Sequence, residues 1–174
     1  MGLQEAGHSP NFGKALVVDP KRSALMSRIR SSNTQPELVV RRLLHAMGFR
    51  FRLHRRDLPG QPDLVLPRHK LVIFVHGCFW HQHPGCGLAS SPKSRQNYWG
   101  PKLAATVERD RRNAGHLREI GWRVETIWEC DTRKAEKLAA RVAEIAEGLP
   151  TAARRRCCAK ATLRTEDGAL ARNH

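Results

Sequence analysis

Residues 70–86, KLVIFVHGCFWHQHPGC, limit what this chain can fold into more than any other stretch. The segment begins as an apolar, β-branched run, 71–75, and breaks at Gly77. Val, Ile and Phe bounded by Lys and Gly predict a buried strand. Beyond the break, three histidines, two cysteines and the pair Phe79-Trp80 fall within residues 76–86. Such groups at the end of a buried strand are costly as packing, and suited to holding a metal or moving protons.

Helix and turn signals surround this strand. Residues 1–20 lack periodicity and predict a disordered tail. Residues 21–33 are basic, carry the apolar pair Met26 and Ile29, and read as a short helix or an arm that orders on a partner. Thr34-Gln-Pro-Glu37 is a capping-box pattern with Pro in the first turn, and Leu38, Val39, Val40, Leu43, Leu44 and Met47 form a stripe that Gly48 ends. Residues 49–54 alternate like a half-exposed strand, 58–62 are turn chemistry, and 63–66 form a short strand, so that with 70–76 they make a meander. Residues 88–101 read as a loop carrying Tyr98 and Trp99. Helix is expected over 102–120, strand over 122–128, and an amphipathic helix over 132–147. Because a helix precedes it, the 122–128 strand is expected parallel to the central one. Residues 150–174 are Arg- and Ala-rich and read as a second disordered tail, leaving one domain over 21–149. The fold class is α/β: a small mixed sheet flanked by helices.

Lys and Arg number 31 against 16 Asp and Glu, a formal net charge of +15. Arg forks onto phosphate oxygens, so the excess points to a polyanion, nucleic acid above all; a merely solubilising surface is the bland alternative. No secretory signal or long apolar run is apparent, and the expectation is a soluble, cytoplasmic, nucleoid-associated protein with no membrane partner. Five cysteines without an export signal favour metal ligation over a disulfide framework.

Four constellations carry chemistry. Cys78, His83 and Cys86, with Cys130 ending the last strand, make a four-ligand zinc set, in which His81 competes with His83 on spacing alone. Asp63 at a strand start is a candidate magnesium ligand, though an Asp after Pro is more often a turn residue. His76 and His81 are candidate acid and base for phosphodiester cleavage. Phe79, Trp80 and Trp99, with Met26 and Ile29, sit among Arg as apolar wedges that unstack a duplex; packing is their ordinary alternative.

Met26–Arg30, LPGQPD (58–63), VIFVHGCFWH (72–81), VERDRR (107–112) and GWRV…WEC (121–130) together closely resemble the very short patch repair endonucleases, over roughly residues 20–148. That resemblance implies a core related to type II restriction endonucleases, with a structural zinc site. It implies one or two Mg²⁺ ions held by Asp63 and the Val75 carbonyl, where some family members have Thr, and a Phe74-Val75-His76 end to the strand in place of an acidic-x-Lys signature. His76 and His81 match catalytic histidines, while Glu37 and Asp110 match acidic positions of the active site. Cys78, His83, Cys86 and Cys130 match the zinc ligands. Phe79, Trp80 and Trp99 match intercalating aromatics, with Met26 and Ile29 entering from the opposite groove. The implied activity is a nick 5′ to the mispaired T of a T:G mismatch, made by a monomer. Its companions would be a cytosine methyltransferase, other mismatch-repair proteins and a polymerase downstream. A restriction-type enzyme cutting both strands and a zinc-stapled, non-catalytic DNA-binding module are the competing classes.

Overall fold

A computed structural model describes residues 32–149, and there a four-stranded sheet carries helices on both faces. Met26, Ile29, Cys157, Cys158 and both tails lie outside the described residues.

Helix α1 (Gln35–Ala46) begins where the capping box predicts. The Thr34 hydroxyl accepts from the Glu37 amide at 3.5 Å, and the Glu37 carboxylate accepts from the Asn33 and Thr34 amides at 3.0 and 3.3 Å. Pro36 costs nothing, because the first-turn amides of a helix have no partner within it. Gly48 takes the left-handed stop at φ +86°. A cap is worth about 1 kcal/mol. Its larger consequence here is to bury Glu37 at 2% exposure beneath the sheet's end.

The meander is β1 (Arg52–Leu53), β2 (Leu64–Leu66) and β3 (Leu71–His76), paired antiparallel in sequence. After the crossover through α2 (Gln96–Glu119), β4 (Arg123–Trp128) runs parallel to β3 and sets His76 opposite Trp128. Along β3, Leu71 and Ile73 enter a core shared with Val40 and Leu44 of α1 and with Leu138, Val142 and Ile145 of α4 (Ala135–Glu147). Val72 faces the other way, onto Leu117 of α2. Both faces are covered, which is why the strand reads as a continuous apolar run rather than an alternation. Replacing Leu71 or Ile73 by Ala should cost about 2–5 kcal/mol.

Three boundaries depart from the sequence reading. The expected strand 49–54 shrinks to β1, because His54 turns into the left-handed region at φ +44° and ends the pairing. The loop expected over 88–101 gives way at Gln96, so Tyr98 and Trp99 ride the first turn of α2 despite Pro101 inside it. Packing of Trp99 against Phe79 and Trp80 outweighs the hydrogen bond lost at Pro101. The helix expected over 132–147 starts three residues later, as α4, and a separate helical turn, α3 (Glu129–Thr132), stands where Cys130 was expected to end the strand. Asp131 accepts from the Trp128 amide at 3.2 Å and pairs with Lys137 at 2.9 Å, making Cys130 part of a separate turn. Among the described residues no helix is long and apolar enough to cross a membrane.

Candidate active site and metal centre

Beyond β3 the chain folds into a knuckle of short turns. The His81 amide donates to the Gly77 carbonyl at 3.1 Å, His83 to Cys78 at 3.0 Å and Cys86 to His83 at 3.3 Å. These turns gather Cys78, His83, Cys86 and, from α3, Cys130, with one donor atom of each within 4.8 Å of the others. His83 Nδ1 lies 3.7 Å from the Cys78 sulfur and 3.4 Å from that of Cys130. Ligands on a tetrahedral zinc would be about 3.6 Å apart, given bonds near 2.3 Å to sulfur and 2.0 Å to nitrogen. The donor set therefore fits zinc. His83 stacks on Trp128 with centroids 4.1 Å apart, which fixes its ring. Burial pushes the Cys78 thiol up to about 12 and raises Cys130, whereas the Leu88 amide lowers the half-buried Cys86. Buried thiols of this kind give up their protons to a divalent cation, so affinity should rise with pH.

His81 stands apart from the cysteines. Its Nδ1 meets Asp110 of α2 at 2.5 Å, and its ring stacks on His76 with centroids 3.8 Å apart and planes 7° from parallel. Burial, with His81 beside it, pushes His76 down to about 4, against the pull of Asp110. Burial acts to raise the Asp110 carboxyl, but the His81 hydrogen bond and the neighbouring imidazoles and Arg109 outweigh it and hold the group below its usual range.

One residue earlier on β3, the Val75 amide donates to Asp63 Oδ2 at 2.7 Å. Asp63 shares its pocket with Glu37 and His54, one donor atom of each lying within 4.8 Å of the others. Burial pushes the Asp63 carboxyl up to about 6, with Glu37 adding to the rise and the Val75 amide opposing it. A buried carboxylate that is hard to ionise alone is one that a divalent cation would stabilise, and two neighbouring carboxylates suit a hard ion. The fit to magnesium is to oxygen donors, Asp63 first.

The structure thus sorts the expected residues into three groups. Asp63 sits with Glu37, His76 with His81 and Asp110, and His83 rather than His81 with the cysteines. Phe79, Trp80 and Trp99 form a ring cluster with centroids 5.1–6.0 Å apart and Lys102 Nζ 5.8 Å over Trp80. Within it Trp99 is buried rather than displayed on a loop, and the exposed ring is Tyr98. His54 and Arg41, missed in the sequence, join the Asp63 group; only the left-handed backbone at His54 marks them, and spacing gave no sign of it.

The family model "DNA mismatch endonuclease Vsr" matches residues 16–86. A Xanthomonas oryzae protein named type II nicking enzyme V.XorIIP is 52% identical over 125 residues, covering 72% of this chain and 91% of that one. The DNA mismatch endonuclease Vsr of Escherichia coli is 44% identical over 67% of this chain and 74% of its own length. A second nicking enzyme, V.NmeAIP of Neisseria meningitidis, is 42% identical over 65% and 80%. With identities this high over most of each relative, and the clusters above formed from the residues that carry the likeness, the chain belongs to the Vsr family of DNA mismatch endonucleases.

Proposed function

We propose that this protein nicks one DNA strand 5′ to the mispaired T of a T:G mismatch, leaving a 5′-phosphate, in a reaction that needs Mg²⁺. The observation that carries the reading is the meeting of two chemistries at the end of β3. Asp63 is fastened to the Val75 amide, and the next residue, His76, stacks on an imidazole held by Asp110. Phosphodiester hydrolysis needs such a pair: charge neutralisation at the phosphate, and a group that takes a proton from water. Asp63 and the Val75 carbonyl would hold Mg²⁺, with Glu37 beside them, and the ion would offset charge on the phosphate oxygens.

His81 suits the base. Asp110 accepts the Nδ1 proton, which leaves Nε2 free to take one from the attacking water, and the carboxylate stabilises the imidazolium that forms. His76, kept neutral by burial, orients its neighbour and donates a hydrogen bond toward the phosphate or the leaving oxygen. Cys78, His83, Cys86 and Cys130 would hold a structural zinc, tying the knuckle that bears His81 and the aromatic wedge to α3. Phe79, Trp80 and Trp99 would open the mismatched step, with Met26 and Ile29 of the basic arm acting from the opposite groove. The duplex is the partner of a monomer working in the nucleoid. A cytosine methyltransferase creates the need for repair, and mismatch-repair proteins and a polymerase take the product on.

End-labelled duplexes that differ only in T:G or T:A at one position, incubated with Mg²⁺, test the reading. A single cut on the T strand of the mismatched duplex is expected. Equal cutting of the paired duplex, or cleavage of both strands, would overturn it.

A further inference from the structure

Resting on that reading, one more residue belongs to the Asp63 site. We propose that His54 is a positioning residue for the Asp63 carboxylate, turning an Nδ1–H toward it, and is not a metal ligand. The argument starts from Arg41. Its Nη2 lies 2.9 Å from His54 Nε2 and 2.7 Å from Glu37 Oε2. A guanidinium nitrogen can only donate, so Nε2 accepts, and the neutral ring carries its proton on Nδ1.

Nδ1 is the atom that faces Asp63, 3.9 Å from Oδ1. At that spacing no hydrogen bond exists yet. A donor is nevertheless aimed at the one free oxygen of a carboxylate whose other oxygen the Val75 amide holds at 2.7 Å. A protonated ring nitrogen has no lone pair to give a cation. Glu37, His54 and Asp63 have the look of a three-ligand cage. They are instead two carboxylates steadied by a donor.

Arg41 is not free to swing away and release Nε2. Its Nη1 donates to Asn33 Oδ1 at 2.6 Å, and its side chain is only 11% exposed. The left-handed φ of +44° at His54 accompanies the exit from β1, in a region few non-glycine residues adopt. With the imidazole nitrogen occupied, the site offers side-chain oxygen only. That suits Mg²⁺ or Mn²⁺ over the metals that favour imidazole.

The test uses the full-length zinc-loaded protein, Mn²⁺ as probe, and the variants His54→Gln and His54→Ala. Glutamine supplies an acceptor for Arg41 and a donor for Asp63; alanine supplies neither. The Mn²⁺ dissociation constant by calorimetry should rise about tenfold in His54→Ala and return to within about threefold of wild type in His54→Gln. Pulsed EPR of bound Mn²⁺ should show no directly bound nitrogen that depends on residue 54. A ¹⁴N coupling present in the wild type and lost in His54→Ala would make His54 a ligand and overturn the proposal. His54→Gln binding as weakly as His54→Ala, or His54→Ala binding as tightly as wild type, would overturn it too. If His54→Ala does not fold, the wild-type EPR spectrum and His54→Gln still decide. Failure of every protein to nick a T:G duplex would sink the function proposed above, while the Mn²⁺ titration tests His54 independently of it.

Discussion

Val75 and His76 are neighbours on β3, yet the same burial shifts the groups gathered around them in opposite directions, raising a carboxyl and lowering an imidazole. Around Val75, burial lifts Asp63 to about 6, so the carboxylate is ionised at neutral pH at a cost and welcomes a cation. Around His76, burial lowers the imidazole to about 4, so it stays uncharged beside His81, whose Nδ1 Asp110 holds. In the function proposed above, one strand end would thus present a cation seat beside a proton acceptor, without the two neutralising each other. The difference comes from what faces each group: a second carboxylate, Glu37, on one side, and a second imidazole on the other.

Asp63→Asn should break the comparison most sharply. Nicking should fall by at least about 10³-fold, because charge neutralisation by a bound ion is worth several kcal/mol. The same variant, without added Mg²⁺, should be more stable than wild type near pH 8 by about 2–3 kcal/mol. A carboxyl raised from 3.8 to about 6 by folding destabilises the native state once it ionises, and an amide does not. Urea denaturation at pH 8 measures this; an Asn variant less stable than wild type would mean that Asp63 is not strained by burial.

On the other side, Asp110→Asn should cut the rate about 10²-fold with Mn²⁺ affinity unchanged, since it acts on the His76–His81 pair and touches no group of the Asp63 cluster. Cys130→Ser sharpens the contrast. Loosening the knuckle should move His81, and so cost nicking about as much as Asp110→Asn, while the Asp63 site beneath β3 still binds Mn²⁺ with wild-type affinity. Isothermal titration beside a nicking assay reads both, and loss of Mn²⁺ binding in Cys130→Ser would show that the two clusters are one structural unit.

How much of this was legible follows the range of the interactions. The capping box at Thr34 and Glu37 and the buried run of β3 are local patterns and appear as read, whereas spacing in the knuckle left His81 and His83 open and only the fold brings His83 to the cysteines. The parallel pairing of β4 followed from a helix standing between two strands. What escaped depends on contacts distant in sequence. Trp99 is helical because Phe79 and Trp80, some twenty residues earlier, wait for it. His54 enters the site through Arg41, thirteen residues away on another element.

The pH dependence of stability separates the clusters without catalysis. Asp63, raised on folding, contributes most stability below about pH 4 and loses it as pH rises through about 6. His76, lowered on folding, contributes fully above about 6.5 and loses that contribution as pH falls toward about 4. Between those limits the two slopes oppose each other. Asp63→Asn should therefore lose stability on acidification from pH 6.5 to 4.5 more steeply than wild type, by about 1–2 kcal/mol. Taking the difference between variant and wild type removes the common contribution of the cysteine site, and equal slopes would contradict the assignment of opposite burial effects.

The smallest expected effect concerns how the Asp63 side is anchored to the helix that carries Asp110. Gly60, in the turn that leads to Asp63, has φ +74°, and a Cβ there would sit 2.8 Å from Asn113 Nδ2 on α2. Both strain and contact act against a side chain, so Gly60→Ala should lose about 1–2 kcal/mol. Asn113→Ala in that background removes the carboxamide but keeps the Cβ, 3.0 Å away, and the strained φ, so it should return only part of the loss. Thermal melting of the two single variants and the double variant measures the coupling. If the double variant is no more stable than Gly60→Ala, the turn and α2 do not press on each other, and Asp63 is held by the Val75 amide without help from the helix that positions its counterpart across β3.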